Sequence, residues 1–426
     1  MEIPLSPLDE IAQISTSLVT KPEYKTKENL EKLYALCKNK DLYISTKAIK
    51  SVALVLISIL PSYAVGKHAE NENLSKEVRQ RRQLEQVQLD FARRFNQFCE
   101  HAAFNRSNPM KLRCACAVAL SNLYAKCSKY NTSDHLAKCV VRLANCTEPK
   151  LRNLACGSIR QVFENDIKGQ NTLQILTNVA TTPTNKISVE LLQTLEHVKL
   201  KSHFDTKPKQ PKIEDKELEK ELKEADLVVD DSQHEKNQMV ILEHLFGTVF
   251  RFLKETKSEQ HYLAAMAVVH SYIDYINISI IPDILSALKQ KQFSLRAAIT
   301  SATTAISVCK AANLTFDLRD FYSSVYARCY EALDNRDALF ELLNLFDFIG
   351  NEIDITRTKS FAKRLMTMSI HALPPIATAV LAHIRKLFSE KVDKDPSIAS
   401  ACYFSFEGEG EFNIDVDDPV TCGGDS

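Results

Sequence analysis

Tryptophan is absent from this sequence, and glycine is scarce, at nine residues in 426. Proline is nearly as sparse, at fourteen. So little of both leaves few tight turns, which argues against an all-β chain with its many short connections. The glycine shortage also nearly excludes the usual phosphate cradles, which need glycines for close backbone approach. No Gly-rich phosphate loop, zinc-protease motif, kinase motif set or nucleophile elbow is found. No catalytic residue is therefore assigned, and neither a cofactor nor a small-molecule substrate is expected.

Long apolar runs are missing too. The longest, Val52 to Leu60, covers about nine residues against the ~20 that span a bilayer, so no membrane partner is expected. Met1 to Pro7 carries neither a basic n-region nor an apolar h-region. The twelve cysteines sit mostly inside helical patterns and not as a disulfide framework, which points to a reducing compartment, cytosol or nucleus. Net charge is zero, with 54 Lys+Arg against 54 Asp+Glu. The balance is uneven along the chain. Between Pro61 and Leu200, 20 Lys and Arg face 12 Asp and Glu, a surplus of eight, whereas seven acidic and no basic residues follow Cys402. A basic body with an acidic tail suggests a polyanionic partner, with uneven solvation as the plainer alternative.

What the chain does have is apolar spacing in steps of three and four, the mark of helices with one buried face. Asp9 is placed to cap a helix carrying Ile11, Ile14 and Leu18. Leu30, Leu33 and Cys37 form a second stripe. Ala48 to Leu60 is apolar nearly all round, as in a helix covered on most sides. The clearest amphipathic helix spans 74–104, with Leu84, Val87, Phe91, Phe95 and Phe98 on one side and Arg79, Arg82 and Arg93 on the other. Shorter helices fill 110–200. Helix pairs of this length stack into repeat arrays, although no fixed period is visible. The expected fold class is an all-α, HEAT- or armadillo-like helical-repeat solenoid in two blocks joined by a charged linker. The expected domains are a helical block at 1–200, a Lys/Pro linker and charged helix at 201–236, a second helical block at 237–397 and an acidic tail at 398–426.

Six cysteines and His135 fall between Cys114 and Cys156, which raises a metal site. Zinc favours Cys-x₂₋₄-Cys pairs, whereas Cys114 and Cys116 point to different sides of a helix, so these read as core cysteines and no metal ligand is assigned. His244, His261 and His270 lie near apolar faces and read as core or boundary residues. Asp415, Asp417 and Asp418 lack the internal glycine and following Glu of a calcium loop. Arg79, Arg82 and Arg93 are the candidate RNA or partner contacts. Arg pairs phosphates through two parallel hydrogen bonds, and a rigid helix spaces such groups regularly. An ordinary solvated face with Glu neighbours is the alternative.

Several segments, in order, resemble the nucleolar complex protein 3 family, a CCAAT-binding-factor-like group. They are Leu54 to Tyr63, ending in Pro-Ser-Tyr, and Leu74 to Arg79 with the Leu84 to Phe98 helix. Lys220 to Ala225 follows, leading to Phe246 and to Phe250 through Lys254. Asp317 to Tyr322 comes next, then Leu373-Pro374-Pro375 with Leu381 to Arg385, and last Asp417-Asp418-Pro419. The sequence departs from the pattern at Ala64-Val65-Gly66-Lys67, in place of an Arg-containing stretch, and in lacking a long charged N-terminal extension and a Trp-containing C-terminal one. It resembles a compact, divergent version or a truncated one. The resemblance implies a non-enzymatic helical scaffold in the nucleus and nucleolus, acting in large-subunit assembly and rRNA maturation. Its implied partners are nucleolar complex protein 2, pre-ribosomal particle proteins and pre-rRNA. A HEAT-like transport adaptor and a chromatin role in replication initiation are the rival functions.

Overall fold

The computed structural model describes residues 6–21, 25–60, 76–126, 133–166, 169–200, 231–289, 293–314, 316–333, 335–349 and 355–392. Among them every regular element is helical, with 17 α-helices, short 3-10 turns and no strand. The all-α helical-repeat expectation is borne out. The segments 201–230 and 398–426, with the charged helix at 213–225, Pro61 to Tyr63 and Asp417 to Pro419, lie outside the described residues.

The chain divides into two compact units, Met1–Thr248 and Val249–Ser426. In the first, the helices are α1 (Pro7–Thr20), α2 (Thr26–Cys37), α3 (Leu42–Ile59), α4 (Lys76–Phe104), α5 (Met110–Lys126), α6 (Ser133–Ala144), α7 (Pro149–Asn165), α8 (Gln170–Thr181) and α9 (Val189–Thr194). The division falls inside α10 (Asp231–Glu255). The second unit continues with α11 (Glu259–Ser271), α12 (Ile281–Lys289), α13 (Leu295–Ala311), α14 (Arg319–Arg328), α15 (Arg336–Ile349), α16 (Ile355–His371) and α17 (Pro374–Val392).

Local chemistry explains the helix starts. Ser6, not Asp9, caps α1: its Oγ accepts from Asp9 N at 3.3 Å and donates to Asp9 Oδ2 at 2.6 Å. Pro7 has no N–H to satisfy and is pre-set for the first helical position, so the cap falls just before it. Asp9 is left in the first turn, where its charge meets the positive end of the helix. Asp41 caps α3 by accepting from Tyr43 N at 2.8 Å.

In the first unit, α1, α3, α5, α7 and α9 pack one on the next as a row, and α2 packs on α4 and α6 on α8 alongside it. This is the contact pattern of stacked helical repeats. Its centre is α5, against which α3, α4, α6 and α7 all pack. Ala115, Cys116, Ala117, Ala119, Leu120, Ser121, Leu123 and Tyr124 are buried there. Small side chains let neighbouring helices approach from several directions. Tyr124 reaches further, donating its hydroxyl to the Asn171 carbonyl at 2.6 Å. Burial raises its phenol well above the usual range. The buried Arg113 donates from Nε to the Ala103 carbonyl at 3.0 Å, and Asn108 donates to that of Ala102 at 3.0 Å. Both satisfy last-turn carbonyls of α4 that no helical N–H can reach.

Two helices depart from the spacing read along the chain. On α4, Phe91 and Phe95 are buried, but Leu84, Val87 and Phe98 are only half-buried, and the hidden strip runs instead through Gln88, Leu89, Ala92, Asn96 and Cys99. Contacts from α2, α3 and α5 turn that strip toward the smaller residues. On α3, Ala48, Ile49, Val52, Ala53, Val55 and Leu56 are buried, yet Leu54 is 60% exposed, so one side is open. By length and composition α3 could cross a membrane. It packs on α1, α2 and α5, with less than half of its length buried.

The second unit repeats the device around α13, whose Ala297, Ser301, Ala302, Thr304 and Ala305 are buried against α11, α12, α14 and α15. Tyr262 donates to the Leu288 carbonyl at 3.1 Å and lies 3.1 Å from Ser301 Oγ. The Arg364 guanidinium sits over the rings of Tyr326 and Tyr330, 5.0 and 4.4 Å from their centroids.

Three outcomes follow for stability, each read by urea unfolding. Gly169 holds φ +71, and a Cβ there would lie 3.0 Å from Ile241 Cδ1, so Gly169→Ala lowers stability by about 1–2 kcal/mol. Tyr124→Phe costs about 1 kcal/mol by deleting one buried hydrogen bond. Burial pushes the thiols of Cys37, Cys156 and Cys329 up to about 12. The unfolded thiols ionise near 9.0, so the unfolded state then holds fewer protons. Stability is full below about pH 9 and falls between there and pH 12.

Candidate interaction surfaces

Helix α4 carries Arg79, Arg82 and Arg93 within about 60° of one another at about 100° per residue, spread along about 21 Å of the axis. Arg79 and Arg93 are exposed and Arg82 is half-buried. The face is not purely basic. Arg93 Nη1 lies 3.2 Å from Asp90 Oδ1, to which Gln86 also donates at 2.9 Å. The neighbouring Arg81 Nε is 3.3 Å from Glu85. Arg94 pairs with Glu31 of α2, with its guanidinium 5.9 Å from the Tyr34 ring centroid. These exposed pairs contribute little to stability, and they set the local charge that any polyanion would meet.

A groove of about 290 Å³ runs between α1 and α3, lined by Ser15, Val19, Leu54 and Ser58 among others. Val19 and Leu54 are exposed along it. In the second unit, Phe340 of α15, Ile370 of α16 and Leu373 before α17 are 66%, 73% and 65% exposed. Spacing alone does not separate such residues from core, because an apolar side chain reads the same on either face. The signal that could have found Leu373 and Leu381 is their place in a family-like segment, since both are exposed.

The histidines and cysteines are distributed otherwise. His244 and His261 are half-buried and His270 is exposed. His261 stacks on Phe252, with ring centroids 5.7 Å apart and planes 2° from parallel. Cys114 is half-buried while Cys116 is buried, as their spacing on one helix requires. Cys37 and Cys99 are buried near Cys116, and burial raises both thiols.

Known proteins align with both units. A family model described as nucleolar complex-associated protein matches residues 7–95, from α1 through Phe95 of α4. A second, described as the CBF/Mak21 family, matches residues 298–400. Nucleolar complex protein 3 of Drosophila melanogaster is 23% identical over 97% of this chain and 57% of its own length. The Homo sapiens homologue is 21% identical over 97% and 58%. Nucleolar complex-associated protein 3 of Schizosaccharomyces pombe is 24% identical over 88% and 61%. The chain thus spans less than two thirds of the length of these curated relatives. A solved engineered protein covers 86% of this chain and 95% of its own at 12% identity, with a TM-score of 0.25, below the level of a shared fold. The relatives' names indicate a nucleolar, hence nuclear, localisation. The resemblance to the nucleolar complex protein 3 family, drawn from an ordered set of short segments, is borne out by two family models and by relatives aligned along nearly the whole chain.

Proposed function

We propose that the chain is a non-catalytic scaffold of ribosome biogenesis, acting in large-subunit pre-ribosome assembly and rRNA maturation together with nucleolar complex protein 2. The observation that carries this reading is the alignment of 97% of the chain with proteins named for a nucleolar complex. The fold supports it. Stacked helices present long side surfaces that bind extended partners without a cleft. The basic surplus of residues 61–200 suits pre-rRNA, with Arg79, Arg82 and Arg93 as candidate contacts. The exposed apolar residues Val19, Leu54, Phe340, Ile370 and Leu373 suit nucleolar complex protein 2 or pre-ribosomal proteins. No cofactor and no small-molecule substrate enters this reading.

Affinity purification of the tagged chain from its own cells at moderate salt, with protein and RNA both read, tests the proposal. Recovery of nucleolar complex protein 2 with large-subunit pre-rRNA is expected. Transport receptors or vesicle coats without rRNA, or chromatin retention that survives RNase, would overturn it. In a filter-binding assay with single-stranded RNA, Arg79→Glu/Arg82→Glu/Arg93→Glu flattens the slope of log affinity on log salt by about 2, at about 0.7 per lost phosphate contact.

A further inference from the structure

Three side chains of different chemistry converge between α4 and α6. Glu100 Oε2 lies 3.2 Å from His135 Nε2. Cys139 Sγ lies 4.0 Å from the same nitrogen and 3.9 Å from Nδ1. The ligand atoms of all three residues fall within 4.8 Å of one another. His135 and Cys139 are four residues apart on α6 and so share one helix face. Glu100 enters from the last turns of α4. Its other oxygen, Oε1, accepts from Arg142 Nη1 at 2.7 Å, and the Arg142 guanidinium stacks over the Phe104 ring, 4.2 Å from its centroid.

The Glu100–His135 separation is close to an edge of a zinc tetrahedron, and the Cys139 sulfur lies a few tenths of an ångström beyond one. Metal bonds of about 2.0–2.2 Å to nitrogen and oxygen and about 2.3 Å to sulfur imply N···O edges of about 3.3 Å and N···S edges of about 3.6 Å. We propose that Glu100, His135 and Cys139 form a binding site for a zinc-class divalent ion, with water in the fourth position, that ties α4 to α6. Nitrogen, sulfur and carboxylate oxygen are the donors zinc accepts. Arg142 anchors Oε1 and leaves Oε2 aimed at His135, the kind of outer contact that orients a ligand. The site opens to solvent: the side chains of His135 and Glu100 are 44% and 21% exposed, and the buried Cys139 forms its floor. A search for paired cysteines passes over this set, because it is written as His-x₃-Cys on one helix and a carboxylate on another.

Binding breaks the Cys139 S–H bond, forms the sulfur–metal bond and sends the proton to solvent, while His135 donates a neutral lone pair. A thiol that binds as the thiolate gives up its proton, so about one proton is released per ion taken up.

The test is titration of the purified, chelator-treated full chain with cobalt(II) chloride and then zinc sulfate, with thermal unfolding alongside. One equivalent of cobalt is expected to give a sulfur-to-cobalt charge-transfer band that zinc displaces, and zinc is expected to raise the unfolding midpoint. His135→Ala changes an exposed side chain, keeps the circular dichroism spectrum and weakens binding about tenfold or more. Arg142→Ala weakens it about 10–100-fold, the range for outer-shell partners. Cys139→Ser removes the band. No band, an unchanged midpoint with zinc, or an equal band and affinity in the folded His135→Ala protein would overturn the site, the last by placing the metal on other thiols.

Discussion

Close approach of four neighbours to one helix is the constraint on which the first unit depends. A helix covered on a single side can present Leu or Phe and still leave room for its partners. A helix met by α3, α4, α6 and α7 cannot, because a large side chain on every face would push each neighbour outward. Helix α5 meets the constraint with Ala115, Cys116, Ala117 and Ala119, and spends its bulk at Leu120, Leu123 and Tyr124. Protein interiors are packed as densely as organic crystals, so the small residues set the spacing of the rows and the surrounding helices supply the large side chains. Phe91 and Phe95 of α4 and Phe163 of α7 are fully buried in this way. In the second unit α13 fills the same place with Ala297, Ala302 and Ala305, while Phe321, Phe346 and Phe361 come from the helices around it.

Several polar groups in such a centre bond to backbone carbonyls, since water cannot reach them. Arg113 and Asn108 close the end of α4, and Tyr124 and Tyr262 each spend a hydroxyl on a carbonyl of another element. These bonds fix where one helix ends against the next. The same logic applies at Glu100, where one carboxylate joins His135 and Arg142 of α6 to the last turns of α4. The groups that stitch neighbouring helices are thus the groups that bring ligand-like atoms together.

Once the central helices carry the core, the outer helices need only one buried face and can commit the other to partners. That division explains how exposed apolar side chains at Phe340, Ile370 and Leu373 coexist with a complete interior. It also explains why family likeness can persist at 20–24% identity over most of the chain. Hydrophobic positions tolerate exchange if volume and pattern are kept. The two family-model matches, at 7–95 and 298–400, fall one in each unit.

The sequence by itself determined the helical class, most helix positions and the family resemblance, because 3.6-residue periodicity and short ordered segments are local properties. The long helix expected over 74–104 is α4 at Lys76–Phe104. Tertiary structure alone decided which helices are central, since the apolar run of α3 looked more enclosed than the Ala- and Cys-rich α5, and only packing shows the reverse. It also decided which face of α4 is hidden, because three neighbours outweigh one stripe of large residues. It placed Glu100, 35 residues upstream, beside His135. Contact between distant residues depends on how helices stack, and no spacing along one helix contains that information.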